Sequence, residues 1–389
     1  FIKKESNIMG LVLKLVAGIV AGILIGLYMP EWVSQLLLTF KTLFGRLLFF
    51  TIPLLILFFI TSGIASLPSN SGEMLGKTLG IAYASTVIAG IVAFFAASIV
   101  VPWLTTDAQS VSTEAKATIE PFIELSVPPL MEVMSALVLA FIFGLGIAST
   151  KAENLKKLSD QGRDIIELLL IKVIIPLLPL YIAGIFAEMA VAGTVFNTLK
   201  TFGVILILAV ALHWVYITSM YIMAGIKTGR SPLFLIKNML PAYFTALGTM
   251  SSAATIPVTL QSVRKNKVDN DVANFTVPLC ATVHLAGSTI TIVSCAVAVM
   301  VLHNSLAIPG FFTMLPFILM LGIVMLAAPG VPGGAVMSAV GLLGSMLGFG
   351  ETAVALMIAL YMAQDSFGTA CNITGDGAIA MFVDSSKKS

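Results

Sequence analysis

Long apolar stretches separated by short polar connections run along most of this chain. Each spans roughly 20 residues or more, the length that an α-helix needs to cross the hydrocarbon core of a bilayer. Strands of a membrane barrel would instead alternate apolar and polar residues over about 10 positions. The pattern therefore predicts an all-α integral membrane protein. The stretches are Met9–Met29, Leu36–Leu67, Leu79–Trp103, Pro129–Ser149, Ile165–Ala192, Phe202–Ile226 and Thr276–Leu302.

Two further apolar stretches are interrupted in the middle by residues that break helices. The first, Ser231 to Lys267, is basic at both ends and contains TMSSAATIP, where Pro257 is expected to end the helix. The second, Gly310 to Gly350, contains APGVPGGAV. Irregular backbone at membrane depth is tolerated where it is buried in protein or lines a cavity. Both stretches are therefore predicted to be re-entrant hairpins that do not cross the membrane.

Each interrupted stretch is followed by one long apolar stretch, Thr276 to Leu302 and Glu351 to Phe382, which we expect to be continuous helices. A hairpin followed by a helix thus occurs twice, with opposite sides of entry. Inverted repeats with interrupted segments at corresponding positions indicate a substrate site near the middle of the bilayer.

The composition supports a membrane protein and excludes several other classes. The chain is 58% hydrophobic and only 10% charged, with a mean hydropathy of +1.04. It has no Gly-rich phosphate loop followed by lysine, so any pumping must draw on an ion gradient or another subunit. Its few histidines and cysteines form no evident nucleophile and base, and we expect no enzyme, no cofactor and no nucleic-acid partner.

The basic residues indicate which side of the membrane each connection faces. Lysine and arginine cluster in alternate connections, and such clusters lie on the cytosolic side. Both termini are therefore expected in the cytosol of a multi-pass protein of the plasma (inner) membrane. The clusters are Lys3 and Lys4; Lys77; Lys151, Lys156, Lys157 and Arg163; Lys227 and Arg230; Arg264, Lys265 and Lys267; Lys387 and Lys388.

One polar stripe crosses the last apolar stretch, in the segment DSFGTACNITGDGAIA. Asp365, Thr369, Asn372 and Asp376 follow one another at helical spacing, so they share a face of the helix. A carboxylate in the membrane costs roughly 2.5 to 3.5 kcal/mol and needs a cation or hydrogen-bond donors. We expect a substrate ammonium group at one aspartate and a bound cation at the other. The alternative is that both aspartates only cap or bridge helices.

The hairpin tips carry complementary groups. Ser251 and Ser252 offer hydroxyls, together with free backbone N–H groups at the end of a half-helix, which suit a substrate carboxylate. The GVPGG segment offers unpaired carbonyls and close approach of the backbone. For either tip alone, a structural kink is an equally good interpretation.

The segments SSAATIPVT, GVPGG and DSFGTACNITGD together resemble the glutamate transporter homologue family, the dicarboxylate/amino acid:cation symporters. The resemblance covers nearly the whole chain, including the polar loop from Thr105 to Phe122. It implies one transporter unit over residues 1–389, with eight transmembrane helices, two hairpins at about 231–267 and 310–350, and a homotrimer in contact with membrane lipids. It also implies an elevator mechanism. A transport part at about 77–103 and 198–384 would move against scaffold helices at about 9–67 and 128–193.

The resemblance also implies roles for individual residues. Asp365 matches the position that binds the substrate ammonium group, and Asp376 matches a carboxylate ligand of sodium. The other sodium contacts that it implies are mostly backbone carbonyls. The implied substrate residues are Met250, Ser251, Ser252, Ser288, Val331, Gly333, Asp365, Gly368, Thr369 and Asn372. The implied cation residues are Asp376, Asn372, Cys280, Thr282, His284, Leu326 and Ala328.

A departure from the family pattern bears on the substrate. Members that carry acidic substrates have arginine where this chain has Gly368. Without that guanidinium, a side-chain carboxylate would be buried unpaired at a cost of several kcal/mol. We therefore expect a small neutral amino acid such as alanine, serine, threonine or cysteine, with the space left by arginine open to its side chain or to water. The alternatives are a symporter of dicarboxylates, acidic amino acids or cystine and, from another class, an ion channel.

A second departure bears on the coupling ion. The family's Asn-Met-Asp triplet is replaced by His284, Leu285 and Ala286. Losing the aspartate removes a ligand of a further sodium ion. His284 is then a possible proton site, because imidazole titrates near neutral pH, or a neutral histidine bonded within the bundle. Sodium at Asp376 remains the expected coupling ion, with a proton as the alternative.

Four more polar residues fall within apolar stretches. Lys41 and Arg46 are expected to reach a polar region or lipid headgroups, and Glu188 to reach the membrane interface. His213 is expected near a helix end in a structural role. None of the four is assigned a part in transport.

Overall fold

The computed structural model describes residues 2–66, 72–109, 119–303 and 306–388, and every regular element within them is helical. The all-α fold class predicted from the sequence is thus confirmed. Residues 110–118 of the long polar loop lie outside the described part. The helices are α1 (Ile2–Tyr28), α2 (Glu31–Ala65), α3 (Gly72–Gln109), α4 (Val133–Thr150), α5 (Glu153–Leu169), a π-helical turn (Leu170–Ile174), α6 (Ile175–Val191), α7 (Val195–Thr228), α8 (Pro232–Thr249), α9 (Ser252–Lys265), α10 (Asn270–Val283), α11 (Ala286–Leu302), α12 (Phe311–Met325), α13 (Gly334–Leu347), α14 (Glu351–Met362) and α15 (Asp365–Lys388).

These helices agree with the predicted membrane crossings. Within the described residues, six helical segments are long and apolar enough to span a bilayer, and the bent pair α14–α15 makes a seventh when counted as one span. Helix α1 contributes a shorter apolar stretch at Leu13–Tyr28. The six are α2, α3, α4, the run from α5 through the π-helical turn to α6, α7, and α10 with α11.

Helices α8 and α9 form the first predicted hairpin and pack against each other. The chain breaks at Met250, whose backbone is left-handed with a φ of 48°, and at Ser251. The Ser251 hydroxyl accepts a hydrogen bond from the Ala254 N–H at 3.3 Å and so caps the start of α9. The prediction that Pro257 ends the helix was wrong, because Pro257 lies inside α9 and the serine cap sets the break earlier.

Helices α12 and α13 form the second hairpin and are joined by the segment from Leu326 to Gly333. Gly333 has a φ of 76°, a left-handed conformation that side chains disfavour. A Cβ atom at this position would also lie 2.6 Å from the Met362 sulfur. Glycine is therefore favoured at this point of the tip.

The two long helices predicted after the hairpins are both broken, which corrects the sequence analysis. The first ends at Val283 and restarts at Ala286, so His284 and Leu285 lie between α10 and α11. The second bends by 61° between α14 and α15, before Asp365. Each predicted repeat therefore consists of a hairpin and a broken helix, and the tips and breaks meet in one region.

The helices pack in two groups. Helix α2 packs on α4, α5 and α6, and α1 packs on α6. In the other group α11 packs on α3, α7, α14 and α15, while α8, α9 and α10 also pack on α15. Contacts between the groups include α2 with α13 and α6 with α14.

Two ion pairs change the interpretation of the charges in α2. Lys41 pairs with Glu188 of α6, and Arg46 pairs with Glu351 at the start of α14, each at 2.5 Å. These side chains thus bind partners within the protein, whereas the sequence suggested lipid headgroups or the interface.

His213 lies in the middle of α7, not near a helix end, and its Nε2 is 3.0 Å from the Gly287 carbonyl oxygen.

Candidate substrate and cation site

A cavity lies where the two hairpin tips meet the breaks before α11 and α15. Its volume of about 80 Å³ is several times the roughly 10–15 Å³ needed for one water molecule, so a small polar solute can enter. Of the described residues that line it, none is lysine or arginine and one, Asp365, is acidic. The lining residues are Met250, Ser252, Ala253, Ala281, Thr282, Leu285, Ser288, Ala328, Pro329, Gly330, Val331, Ala335, Tyr361, Asp365, Thr369 and Asn372.

Asp365 is the first residue of α15 and is 5% exposed. The Gly333 N–H donates a hydrogen bond of 2.7 Å to its Oδ2 atom, which ties the tip of the second hairpin to this carboxylate. The amino end of a helix favours negative charge, so both neighbours stabilise the ionised form. Within the described cavity wall, no positively charged side chain lies beside this carboxylate.

Thr369 and Asn372 follow Asp365 along the same face of α15. Thr369 donates to the Asp365 backbone carbonyl at 2.9 Å. The Asn372 Oδ1 atom accepts from the N–H groups of Gly287 at 2.7 Å and Ser288 at 3.2 Å, and its Nδ2 donates to the Ser288 hydroxyl at 3.0 Å. These bonds satisfy backbone groups that the break before α11 leaves without helical partners.

The first hairpin presents the amino end of α9 to the cavity. Ser252 is the first residue of α9 and lines the cavity, whereas the Ser251 hydroxyl is used as the helix cap. Backbone N–H groups at a helix start, with the positive end of the helix dipole, bind anions such as carboxylates. The cavity thus has a cation-seeking group at Asp365 and an anion-seeking end at α9.

Deeper in α15, Asp376 contacts a chain of polar side chains. Its Oδ1 atom is 2.8 Å from His284 Nδ1, and both side chains are fully buried. His284 Nε2 is 3.0 Å from the Tyr216 hydroxyl and 3.3 Å from the Ser85 hydroxyl, and those two hydroxyls are 2.5 Å apart. The Asp376 Oδ2 atom has no hydrogen-bond partner among the described residues.

Helix ends supply backbone oxygens near these groups. Thr282 in the last turn of α10 and Ala328 after α12 both line the cavity. The final carbonyls of a helix lack helical partners and carry partial negative charge, which favours cations. The Cys280 carbonyl already accepts the His284 N–H at 2.9 Å. Leu326 instead lines a second, apolar cavity that also includes Val283.

Comparison with known proteins adds to this geometry. Residues 11–386 match the sodium:dicarboxylate symporter family. The chain belongs to this family. The resemblance read from the hairpin tips and the α15 stripe is therefore confirmed, and the expectation that the chain is no enzyme agrees with a family of symporters.

Two relatives illustrate the range of the family. The chain is 29% identical over 258 residues to excitatory amino acid transporter 1 of Ambystoma tigrinum, which covers 64% of this chain and 46% of that transporter. It is 32% identical over 213 residues to the serine/threonine transporter SstT of Acinetobacter baylyi, which covers 53% of each. The matches thus span about half the length of these curated relatives.

Three predicted substrate residues, Ser251, Gly333 and Gly368, are absent from the described cavity wall. Gly368 packs on α11, where a Cβ atom would lie 3.4 Å from the Thr291 hydroxyl and 3.5 Å from the Gly287 carbonyl carbon. The expected space beside it is occupied by α11. Gly333 also lies outside the wall but contacts Asp365 directly.

Three polar residues of the site were missed from the sequence. Ser85 on α3 and Tyr216 on α7 carry no local signal, because their partner His284 is distant along the chain. Tyr361 lines the cavity from the end of α14, across the bend from Asp365. Its position four residues before Asp365 is the signal in the sequence that could have found it.

Proposed function

We propose that this chain is a secondary-active symporter that carries a small neutral amino acid of the alanine, serine, threonine or cysteine type together with a sodium ion. The observation that carries the proposal is the buried Asp365 carboxylate facing a cavity whose described wall has no basic side chain. A buried charge of this kind is stable when it is paired, so the partner comes with the ligand.

The two ends of an amino acid fit the two polar ends of the cavity. The substrate ammonium group pairs with Asp365, whose position is fixed by the Gly333 N–H. The substrate carboxylate binds at Ser252 and the free N–H groups at the start of α9. Met250, Val331 and Thr369 enclose the remaining surface of the solute.

The lack of a basic residue in the described wall favours a neutral side chain. A second carboxylate on the substrate would be desolvated without a counter-charge, at a cost of several kcal/mol. The relative from Acinetobacter baylyi is named as a serine/threonine transporter, which agrees with this substrate class. Dicarboxylates, acidic amino acids and cystine are the competing substrates.

The coupling ion is proposed to bind beside Asp376. Its Oδ2 atom is buried and without a partner in the described structure, and a hard cation such as sodium accepts carboxylate and carbonyl oxygens as ligands. Asn372, Thr282 and Ala328 line the cavity and are proposed to add backbone oxygens to the ion site. A proton shared by Asp376 and His284 is the competing form of coupling.

Movement of one helix group past the other is proposed to carry the site across the membrane. The scaffold would comprise α1, α2, α4, α5 and α6, and the transport part α3 and α7 to α15, in a homotrimer of the plasma (inner) membrane with both termini in the cytosol. The separate packing of the two groups supports this division. The Arg46–Glu351 pair joins the groups and must break during such a movement.

One panel of uptake measurements tests this proposal. Protein reconstituted in liposomes is offered labelled alanine, serine, threonine, cysteine, aspartate and cystine, under a sodium gradient or a proton gradient alone. We expect saturable, sodium-driven accumulation of the small neutral amino acids, which excess aspartate does not inhibit. Accumulation of aspartate or cystine would show that the substrate is one of these and not a small neutral amino acid. Currents without amino acid and without accumulation would indicate a channel.

A separate variant tests the coupling ion in the same liposomes. His284 faces Asp376 of α15, Tyr216 of α7 and Ser85 of α3, with Cys280 one turn earlier on α10. Under sodium coupling, His284→Asn leaves uptake sodium-dependent. If uptake follows the proton gradient in the wild type and loses its pH dependence in this variant, the coupling ion is a proton and not sodium.

A further inference from the structure

Tyr361 has a buried hydroxyl without a partner at the substrate cavity. It is near the end of α14, is fully buried and lines the same cavity as Asp365. Its hydroxyl oxygen has no partner of full hydrogen-bond geometry among the described residues, although Asp365 and Ser288 lie close enough to interact with it. Buried tyrosine hydroxyls normally find a partner, and an unpaired one carries the full cost of its desolvation.

The polar groups nearest to this hydroxyl both belong to the cavity wall. Asp365 and Ser288 are its polar neighbours, and both line the cavity. Asp365 Oδ2 accepts the Gly333 N–H, and the Ser288 hydroxyl oxygen accepts from Asn372. The Tyr361 hydroxyl therefore lies beside the polar part of the cavity, within reach of a bound solute.

We propose that the Tyr361 hydroxyl binds the side-chain hydroxyl of the substrate, so that serine and threonine are preferred to alanine. This inference rests on the proposed function, in which Asp365 holds the substrate ammonium group. Tyr361 and Asp365 face each other across the bend between α14 and α15, and the hydroxyl of serine is on the carbon next to the one that carries the ammonium group. A solute held at Asp365 therefore brings its hydroxyl close to Tyr361.

A site that hydrogen-bonds a substrate hydroxyl also rejects the analogue that lacks it. The Tyr361 hydroxyl lacks a partner in the protein without ligand and still lacks one when alanine binds, whereas serine supplies the partner. The preference therefore equals the one hydrogen bond gained with serine. It disappears when the hydroxyl is removed.

A competing role for Tyr361 is to position Asp365. A positioning residue would act on every substrate through the ammonium group. Its removal would then weaken the binding of serine and of alanine by the same factor. The ratio of the two substrates, measured in one preparation, therefore separates recognition of the side chain from positioning.

The experiment measures uptake by Tyr361→Phe and by the wild type in liposomes at saturating sodium. The KM for serine and the KM for alanine are determined for each protein. We expect the serine KM to rise about 3- to 10-fold while the alanine KM stays equal or falls, so that the preference for serine is lost. Equal changes for both amino acids, or no change in the ratio, would overturn the inference while leaving the proposed function intact. If the wild type accumulates neither amino acid, the proposed function and this inference both fail.

A matched control and a second measurement guard against damage to the fold. Tyr221→Phe removes another buried hydroxyl, which donates to the Thr374 carbonyl outside the cavity wall, and should leave the ratio unchanged. For purified protein, serine should raise the midpoint of thermal unfolding more than alanine in the wild type, and equally in Tyr361→Phe. This comparison is made within each protein, so it holds even when the variant is less stable.

Discussion

Two aspartates on one face of α15 have very different surroundings. Asp365 faces a cavity and receives a backbone N–H from Gly333, but no basic side chain lines the described wall around it. Asp376 is fully buried and contacts His284, which in turn contacts Tyr216 and Ser85. The same sequence signal, an aspartate in an apolar helix, thus corresponds to one carboxylate that lacks a cationic partner and one that has a histidine.

The comparison separates the two expected tasks along the helix. Asp365 lies at the start of α15 beside the hairpin tips, where a solute can reach it. One oxygen of Asp376 contacts the histidine and the other is without a described partner, so one carboxylate oxygen is left to bind a cation. Substrate selection should therefore depend on the first aspartate and ion dependence on the second.

The largest expected effect that sharpens this comparison comes from Asp376→Asn. The change removes the negative charge that binds the cation and leaves His284 a neutral amide oxygen as its acceptor. Hydrogen bonds to charged groups contribute about 1.5 to 3 kcal/mol, so we expect sodium-driven uptake to fall about 10- to 100-fold. Half-saturation by sodium should rise, while binding of serine at very high sodium persists. Unchanged sodium dependence in this variant would remove Asp376 from the cation site.

Gly333→Ala tests the link between the second hairpin and Asp365. Alanine is strained at a φ of 76°, and its Cβ would collide with the Met362 sulfur, so the donated N–H must move. A left-handed residue other than glycine costs about 1 to 2 kcal/mol, which corresponds to a roughly 5- to 30-fold loss of serine affinity. Gly348→Ala, at a φ of 72° just after α13 with open space around it, is the matched control, because it adds the same backbone strain away from Asp365 and should bind normally. Equal losses in the two variants would show that strain in this hairpin, and not the bond to Asp365, matters.

Gly287→Ala tests the contact that joins the two aspartate regions. Gly287 donates to Asn372, and a Cβ there would collide with the Gly368 carbonyl and the Cys371 side chain. Overpacking of this kind costs about 1 to 3 kcal/mol, so the midpoint of thermal unfolding should fall. Gly368→Ala, on the opposite side of the same contact, meets only ordinary packing distances and should be tolerated. A reversed order of stability would contradict the close approach of α11 and α15.

The smallest effect is expected from Tyr216→Phe. This change removes a hydroxyl that contacts His284 Nε2 but leaves the His284–Asp376 contact in place. A neutral hydrogen bond contributes about 0.5 to 1.5 kcal/mol, so the sodium needed for half-maximal uptake should shift about 3- to 10-fold. The KM for serine at saturating sodium should stay constant. A change in serine KM alone would place this chain of residues in the substrate site.

Local signals in the sequence were enough for the hairpins and the polar stripe. Prolines, glycines and serines marked the tips, and the spacing of Asp365, Thr369 and Asn372 placed all three on one face, as the structure has them. Helix breaks at such residues arise from short-range backbone constraints, which a single sequence displays.

Long-range contacts explain what the sequence did not predict. The break at His284 contains no proline, and the groups that satisfy its backbone come from Asn372, far along the chain. The pairing of Asp376 with His284 and the packing of Gly368 on α11 depend on how three helices meet. Gly368 was read as empty space beside the substrate because a sequence does not show which helix covers a glycine.

The most direct test of the central claim compares the binding of labelled serine to the purified wild type and to the purified Asp365→Asn variant. Asparagine keeps the shape of the side chain and removes the charge that is proposed to hold the substrate ammonium group. We expect affinity to fall at least about 10-fold in Asp365→Asn. It should be unchanged in Asp384→Asn, a carboxylate near the far end of the same helix. Serine binding of wild-type affinity in Asp365→Asn would contradict the account.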